Sequence, residues 1–223
     1  MLPISDLEFD ALLTSSLIQG IDHIAVGVSG GPDSLALTLL LKRWCSTFDV
    51  KLTALTVDHR LRPNSAMEIE KVSTWLQTWD VKHEVLLWNG LKPATGIQEL
   101  ARQARYDLML AWCLENDAPN LFLAHHQEDQ AETFLMRLIS GSGVDGLACM
   151  SMVFSRKGVR LIRPLLNIPK VRLRATLEVA DQEWIDDPSN KDLAFTRTKI
   201  RKLLDDLKTR NIGPARLASL VGK

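Results

Sequence analysis

The run Ile24-Ala-Val-Gly-Val-Ser-Gly-Gly-Pro-Asp-Ser-Leu35 restricts the fold of this chain more than any other stretch. Its apolar, β-branched beginning fits a buried strand, Gly30 and Gly31 permit a tight turn, and Pro32 with Asp33 and Ser34 opens a helix. Free amides and a partial positive charge gather at a helix N-terminus, and glycines let an anion approach, so the run reads as a phosphate cradle. The hydroxyls of Ser29 and Ser34 add donors. No Lys follows the glycines, so neither the Walker A spacing nor GxGxxG is present. Asp33 would repel bound phosphates unless a divalent cation stood between them, and the loop therefore implies Mg²⁺. The competing reading is a plain Ser/Gly turn between a strand and a helix.

Three more apolar runs follow at 52–57, 83–88 and 121–124, each a strand expectation, and helical spacing lies between them. Parallel strands need crossovers, so the alternation predicts an α/β protein with a doubly wound, mostly parallel sheet and a short C-terminal helical extension. Asp6 to Ile18 reads as an amphipathic lid helix with Leu7, Leu12, Leu13, Leu17 and Ile18 on one face. The helix after the glycines is expected to end near Trp44, with Lys42 and Arg43 as favourable C-terminal charges. Ser65 and Glu68 form a candidate capping box. Residues 158–166 suggest a short edge strand, 169–181 a basic helix and 193–209 a final helix. The 223 residues suffice for one sizeable core, divided here into a main domain at 1–190 and a helical extension at 191–223, the start of a linker or of a further domain.

Ligands of parallel sheets sit beyond the carboxyl ends of the strands, which places Val57, Asp58 and His59 where an adenine or ribose would lie. The fourth strand runs into His125-His126-Gln-Glu128-Asp129-Gln-Ala-Glu132. A zinc site is conceivable there but lacks HExxH spacing. More simply, Asp129 joins Asp33 in holding Mg²⁺ while His125 or His126 meets the substrate. Formal net charge is zero, yet residues 156–174 carry seven Lys and Arg and no acid. Such a segment either tracks a phosphate backbone or is a solvated helix face. Cys45, Cys113 and Cys149 form no C-x-x-C pair, which weighs against disulfides, a thiolate metal site and paired-cysteine thiolation. No apolar stretch approaches the ~20 residues of a membrane span, and no signal-like leader opens the chain, so a cytoplasmic location without membrane contact is expected.

SGGPDS at 29–34 resembles the SGGxDS signature of the PP-loop ATP pyrophosphatases, which cut ATP between the α- and β-phosphates and activate a carbonyl or carboxyl oxygen as an adenylate. Within that superfamily four ordered blocks resemble the tRNA(Ile) lysidine synthetases. They are SGGPDS, Val57-Asp-His59 with Leu61-Arg62, Gln98 to Tyr106, and His125 to Thr133; Arg163-Pro-Leu-Leu166, Trp184 to Asn190, Arg197 and Arg201 extend the likeness. The resemblance implies that ATP adenylates the C2 carbonyl of the wobble cytidine in the CAU anticodon of an isoleucine tRNA. Free lysine then displaces AMP. By matched position, Ser29, Gly30, Gly31, Pro32, Asp33 and Ser34 would bind the phosphates, Val57 and Asp58 the nucleotide, and Asp33 and Asp129 the metal. Arg105 and Arg197 would contact phosphate or cytidine, and His125 the substrate; the general base stays unassigned. Position 128 is Glu where the family usually shows a second Asp, and Arg60 stands where Gly is common. Two other readings remain: an AMP-forming PP-loop enzyme acting on a small molecule, and a silent nucleotide-binding module.

Overall fold

The computed structural model describes residues 1–13, 21–61, 65–90, 96–143, 147–186 and 196–219, with side chains from Lys199 onward in the last stretch. A six-stranded sheet forms its centre. The strands are β1 (His23–Gly27), β2 (Lys51–Asp58), β3 (Lys82–Leu87), β4 (Asn120–Phe122), β5 (Val153–Arg156) and β6 (Val159–Ile162), in the order β3-β2-β1-β4-β6-β5. All neighbours are parallel except β5 and β6, so the expected α/β sheet is present.

The interior strands are apolar on both faces because both faces are covered. On one side lie α1 (Asp6–Leu12), α2 (Pro32–Phe48), α3 (Ser65–Thr78) and α6 (Lys170–Val179), packing Phe9, Leu37, Leu76 and Leu173 against Ile24 and Val26. On the other, α4 (Ile97–Glu115) sets Met109, Leu110 and Cys113 against Ala25, Leu121 and Leu161. Three further helices, α5 (Gln127–Ile139), α7 (Thr196–Thr209) and α8 (Pro214–Ala218), share a smaller core of Phe134, Leu135, Ile200, Leu204 and Leu217.

Several sequence expectations need correction. Leu7 is 85% exposed, and Phe9 and Leu13 anchor the first helix instead; positions 14–20, including Leu17 and Ile18, lie outside the described residues. Helix α2 runs past Trp44 to Phe48 and stops where Asp49 turns left-handed at φ 54°. Lys42 is not a C-terminal charge: its ammonium crosses to the carbonyl and carboxylate of Asp80. Helix α3 begins at Ser65, but residues 62–64 before it are not described, which leaves the capping box outside what the structure covers. The stretch read as an edge strand is interior. Lys157 and Gly158, both at positive φ, make a two-residue hairpin turn that adds β5 outside β6, and β5 is the edge.

Candidate phosphate-binding cleft

Strand order reverses in the sheet at β1, with β2 and β3 on one side and β4 on the other, and open α/β sheets place ligands at such a point. A cleft of about 180 Å³ opens there. Its walls include Val28, Ser29 and Asp33 after β1, Val57 from β2, Arg105 and Tyr106 from α4, and His125 after β4.

The turn after β1 is built from backbone and hydroxyl groups. Gly30 sits at φ +80°, and a Cβ there would lie 2.8 Å from both Val72 Cγ2 and Ile185 Cδ1, so this position needs glycine twice over. The Gly30 carbonyl accepts from Ile185 N at 2.9 Å, which gives the Trp184-Ile185 segment a role in closing the turn. Gly31 is the N-cap of α2 and Pro32 opens the helix. Ser34 Oγ donates to the Gly31 carbonyl at 3.0 Å, accepts from Ser29 N at 3.2 Å and lies 3.3 Å from Ser29 Oγ. Both serine hydroxyls therefore brace the loop in addition to facing the cleft.

The turn after β4 is built from charge. His126, only 3% exposed, caps α5 and lies between three carboxylates: Glu128 at 3.2 Å, Asp33 at 3.5 Å and Asp129 at 3.5 Å. Burial opposes a charge on His126, but hydrogen bonds to Asp33 and Glu128 and the charge of Asp129 outweigh it, and its pKa is pushed up to about 10. The imidazolium and the Lys170 ammonium hold the Asp33 carboxyl below its usual range despite burial. Lys170 Nζ lies 3.1 Å from Asp33 Oδ2, while Asp33 Oδ1 is buried without a hydrogen-bond partner. Asp129 Oδ2 accepts from the backbone N–H of His126 at 3.1 Å, which fixes that carboxylate beside the cluster.

His125 behaves oppositely to its neighbour. Burial, and then the nearby charges of Arg163, Arg102 and Arg105, push its pKa well below the ordinary histidine value against the pull of Asp129. Arg163 Nε donates to His125 Nδ1 at 3.2 Å, so the neutral ring carries its proton on Nε2. Arg102, Arg105 and Arg156 then surround the Tyr106 ring, with 5.5, 5.7 and 5.7 Å between each guanidinium carbon and the ring centroid.

A family model described as the PP-loop domain matches residues 2–207. The chain belongs to the PP-loop domain family. It is 44% identical to the tRNA(Ile)-lysidine synthase of Bradyrhizobium sp. strain BTAi1, over all of this chain and 62% of that protein. It is 47% identical to the enzyme of that name from Rhodopseudomonas palustris, over 82% of this chain and 54% of the relative. The chain thus spans little more than half the length of these curated relatives. Among solved structures, the U34-tRNA thiolase of Methanococcus maripaludis superposes with a TM-score of 0.82 at 19% identity, covering 97% of this chain and 75% of that one, a likeness of fold.

Of the residues expected from sequence, this PP-loop domain gathers Ser29, Asp33, Ser34, Val57, Arg105 and His125 along the one cleft, and Gly30, Gly31 and Pro32 form its turn. Asp129 joins through His126. Asp58 lies apart: it lines an adjoining pocket of about 220 Å³ with His59 and Glu68, and its Oδ1 accepts from Arg60 N at 2.8 Å. That bond accompanies φ +50° at Arg60, in the left-handed region that favours glycine. Arg197 lies in the first turn of α7, and its side chain is outside the described ones. Among the described residues no group of three or more His, Cys, Asp or Glu is arranged to hold a metal ion. No described helix is long and apolar enough to cross a membrane.

The basic segment 156–174 is not one phosphate-tracking face. Arg163 is buried behind His125, Arg172 makes a bidentate pair with Glu8, Lys170 turns to Asp33, and Lys157 binds Asp107. Sequence reasoning missed Lys170, the His126 hub and the pairing of Arg201 with the buried Glu132, at 2.6 Å. In sequence Arg201 only extends the family likeness, with no partner assigned. Each of these depends on contacts made across many residues of chain, and no local spacing announces them.

Proposed function

We propose that the cleft binds ATP and that the chain carries the catalytic part of a tRNA(Ile) lysidine synthetase. One observation carries this reading: the phosphate turn and the arginine–tyrosine cluster open onto the same cleft. A nucleoside triphosphate accounts for the turn. Stacked guanidinium and aromatic groups account for a second ligand that presents a base and phosphates. The names of relatives 44% and 47% identical support the same assignment.

The cytidine C2 oxygen attacks the α-phosphorus of ATP, the bond to the bridging oxygen breaks, and pyrophosphate leaves with the electron pair. Lysine's ε-amine then forms the C–N bond at C2, AMP leaves with the oxygen, and the new ammonium loses its proton. The turn's amides receive negative charge at the phosphates. Neutral His125 offers an Nε2–H donor without adding a charge. Arg105, on the cleft wall beside Tyr106, meets an anionic substrate, while Arg163 behind His125 fixes the orientation and tautomer of that ring.

Asp33 and Asp129 fit Mg²⁺, since Asp33 Oδ1 is a buried carboxylate oxygen that meets no donor and this cation commonly takes one or two carboxylates plus substrate phosphates. When bound it supplies Lewis-acid charge to the phosphate oxygens. His126 and Lys170 keep the Asp33 carboxylate ionised, and His126 lies between it and Asp129.

The test is AMP formation from ATP, Mg²⁺ and lysine, with and without an isoleucine tRNA carrying CAU. AMP that requires the tRNA, together with lysine in the product, is the expected result. AMP without tRNA moves the assignment to a small-molecule PP-loop enzyme; no AMP in either tube overturns the catalytic reading.

A further inference from the structure

The glycine turn offers a phosphate chain only partial charges, from helix amides and two hydroxyls already engaged with each other. It contains no lysine, and Asp33 adds a negative charge of its own. A full cation nevertheless reaches its edge at Asp33, from a residue far along the chain. Lys170 Nζ reaches to within 3.1 Å of Asp33 Oδ2.

The base of this side chain is fixed and its tip is mobile in principle. Lys170 is the first residue of α6; its backbone N–H donates to Glu128 Oε2 at 2.9 Å, and buried Leu173 and Leu177 root the helix in the core. The side chain keeps 34% of its exposure, on a flexible four-carbon stem. The other cations near Asp33 have less freedom. His126 is enclosed by acids, and Arg201 is held by Glu132.

Resting on the ATP reading above, we propose that Lys170 is a pyrophosphate-binding residue, its ammonium turning from Asp33 to the β- and γ-phosphate oxygens when nucleotide enters. It supplies from outside the loop the charge that a Walker lysine supplies from within. The bond from the α-phosphorus to the bridging oxygen breaks and its electron pair goes to pyrophosphate. Lys170 stabilises that charge electrostatically and transfers no proton.

Calorimetric titration of inorganic pyrophosphate and, separately, AMP into the Mg²⁺-supplied protein tests this without tRNA or lysine. Lys170→Met is expected to weaken pyrophosphate about tenfold or more, the scale of a lost charge-assisted contact, while AMP stays within about twofold. Lys170→Arg, which keeps the charge, recovers most of the affinity. Pyrophosphate affinity unchanged in Lys170→Met overturns the proposal, as does parallel loss of pyrophosphate and AMP, because a residue that merely neutralises Asp33 or supports the fold does not discriminate between them. Failure of the unaltered protein to bind either ligand sinks the ATP reading itself, and the proposal with it.

Discussion

The turn from β1 into α2 is held by backbone and hydroxyl groups lying between Ser29 and Ser34, whereas the turn from β4 into α5 is held by charges drawn from Asp33, Arg163 and Lys170. The two meet at Asp33, which belongs to the first by position and to the second by its partners. The first turn is a steric object. Its Gly30 conformation is imposed by contacts with Val72 and Ile185, and no side-chain charge is needed to hold it. The second is an electrostatic object, in which adjacent histidines shift in opposite directions: carboxylates outweigh burial at His126, whereas burial, reinforced by arginines, prevails at His125. The two halves thus differ in what holds them, backbone geometry in one and paired charge in the other.

Changes at the junction have the largest expected effect. Asp33→Asn keeps the turn's shape and removes the charge shared by both halves; AMP formation is expected to fall about 1,000-fold, the combined scale of a lost metal ligand and misplaced charge. A residual rate near the original value would separate the two turns functionally. Gly30→Ala attacks the steric half alone. Strain at φ +80° and the crowding of Val72 and Ile185 are expected to cost about 3 kcal/mol in urea unfolding. A cost under about 1 kcal/mol would show that the turn is not sterically set.

Glu132→Ala attacks the charged half from behind. Glu132 is 3% exposed and Arg201 36%, so the stranded guanidinium keeps some water and the expected loss is about 2 kcal/mol, below the range for a fully buried pair. Glu8→Gln serves as a distant control. The hydrogen bonds from Arg172 hold the Glu8 carboxyl below its ordinary value of 4.5, so its stabilisation is present above that value and lost as pH falls through the lower folded one. The pair is largely solvent-screened; about 0.5 kcal/mol is expected at neutral pH, closing to nothing in acid, with phosphate binding unaffected.

Legibility followed the same division. Ser29 to Ser34 could be read as a turn into a helix because the residue types it needs are set locally: glycine for a positive φ, proline for a first helical turn, hydroxyls for short-range bonds; its closure by Val72 and Ile185 was not legible. The strands could be read because runs such as Leu52 to Val57 are buried on both faces. The hairpin at Lys157-Gly158 was missed because Lys157 at positive φ breaks the usual residue preference. Arg163 and Arg172 looked alike in sequence, two cations in one basic segment, yet one is buried on His125 and the other ties down the N-terminus.

The sequence by itself determined the order of strands and helices, the phosphate turn and the residue types beyond each strand, since these depend on spacing and on backbone preferences within a few positions. Tertiary structure alone decided which charge meets which. Lys170 reaches Asp33, His126 is an imidazolium while His125 is neutral, and Glu132 is committed to Arg201. Electrostatic interactions act through space and depend on burial, so their partners are chosen by how the sheet brings strand ends together and not by distance along the chain.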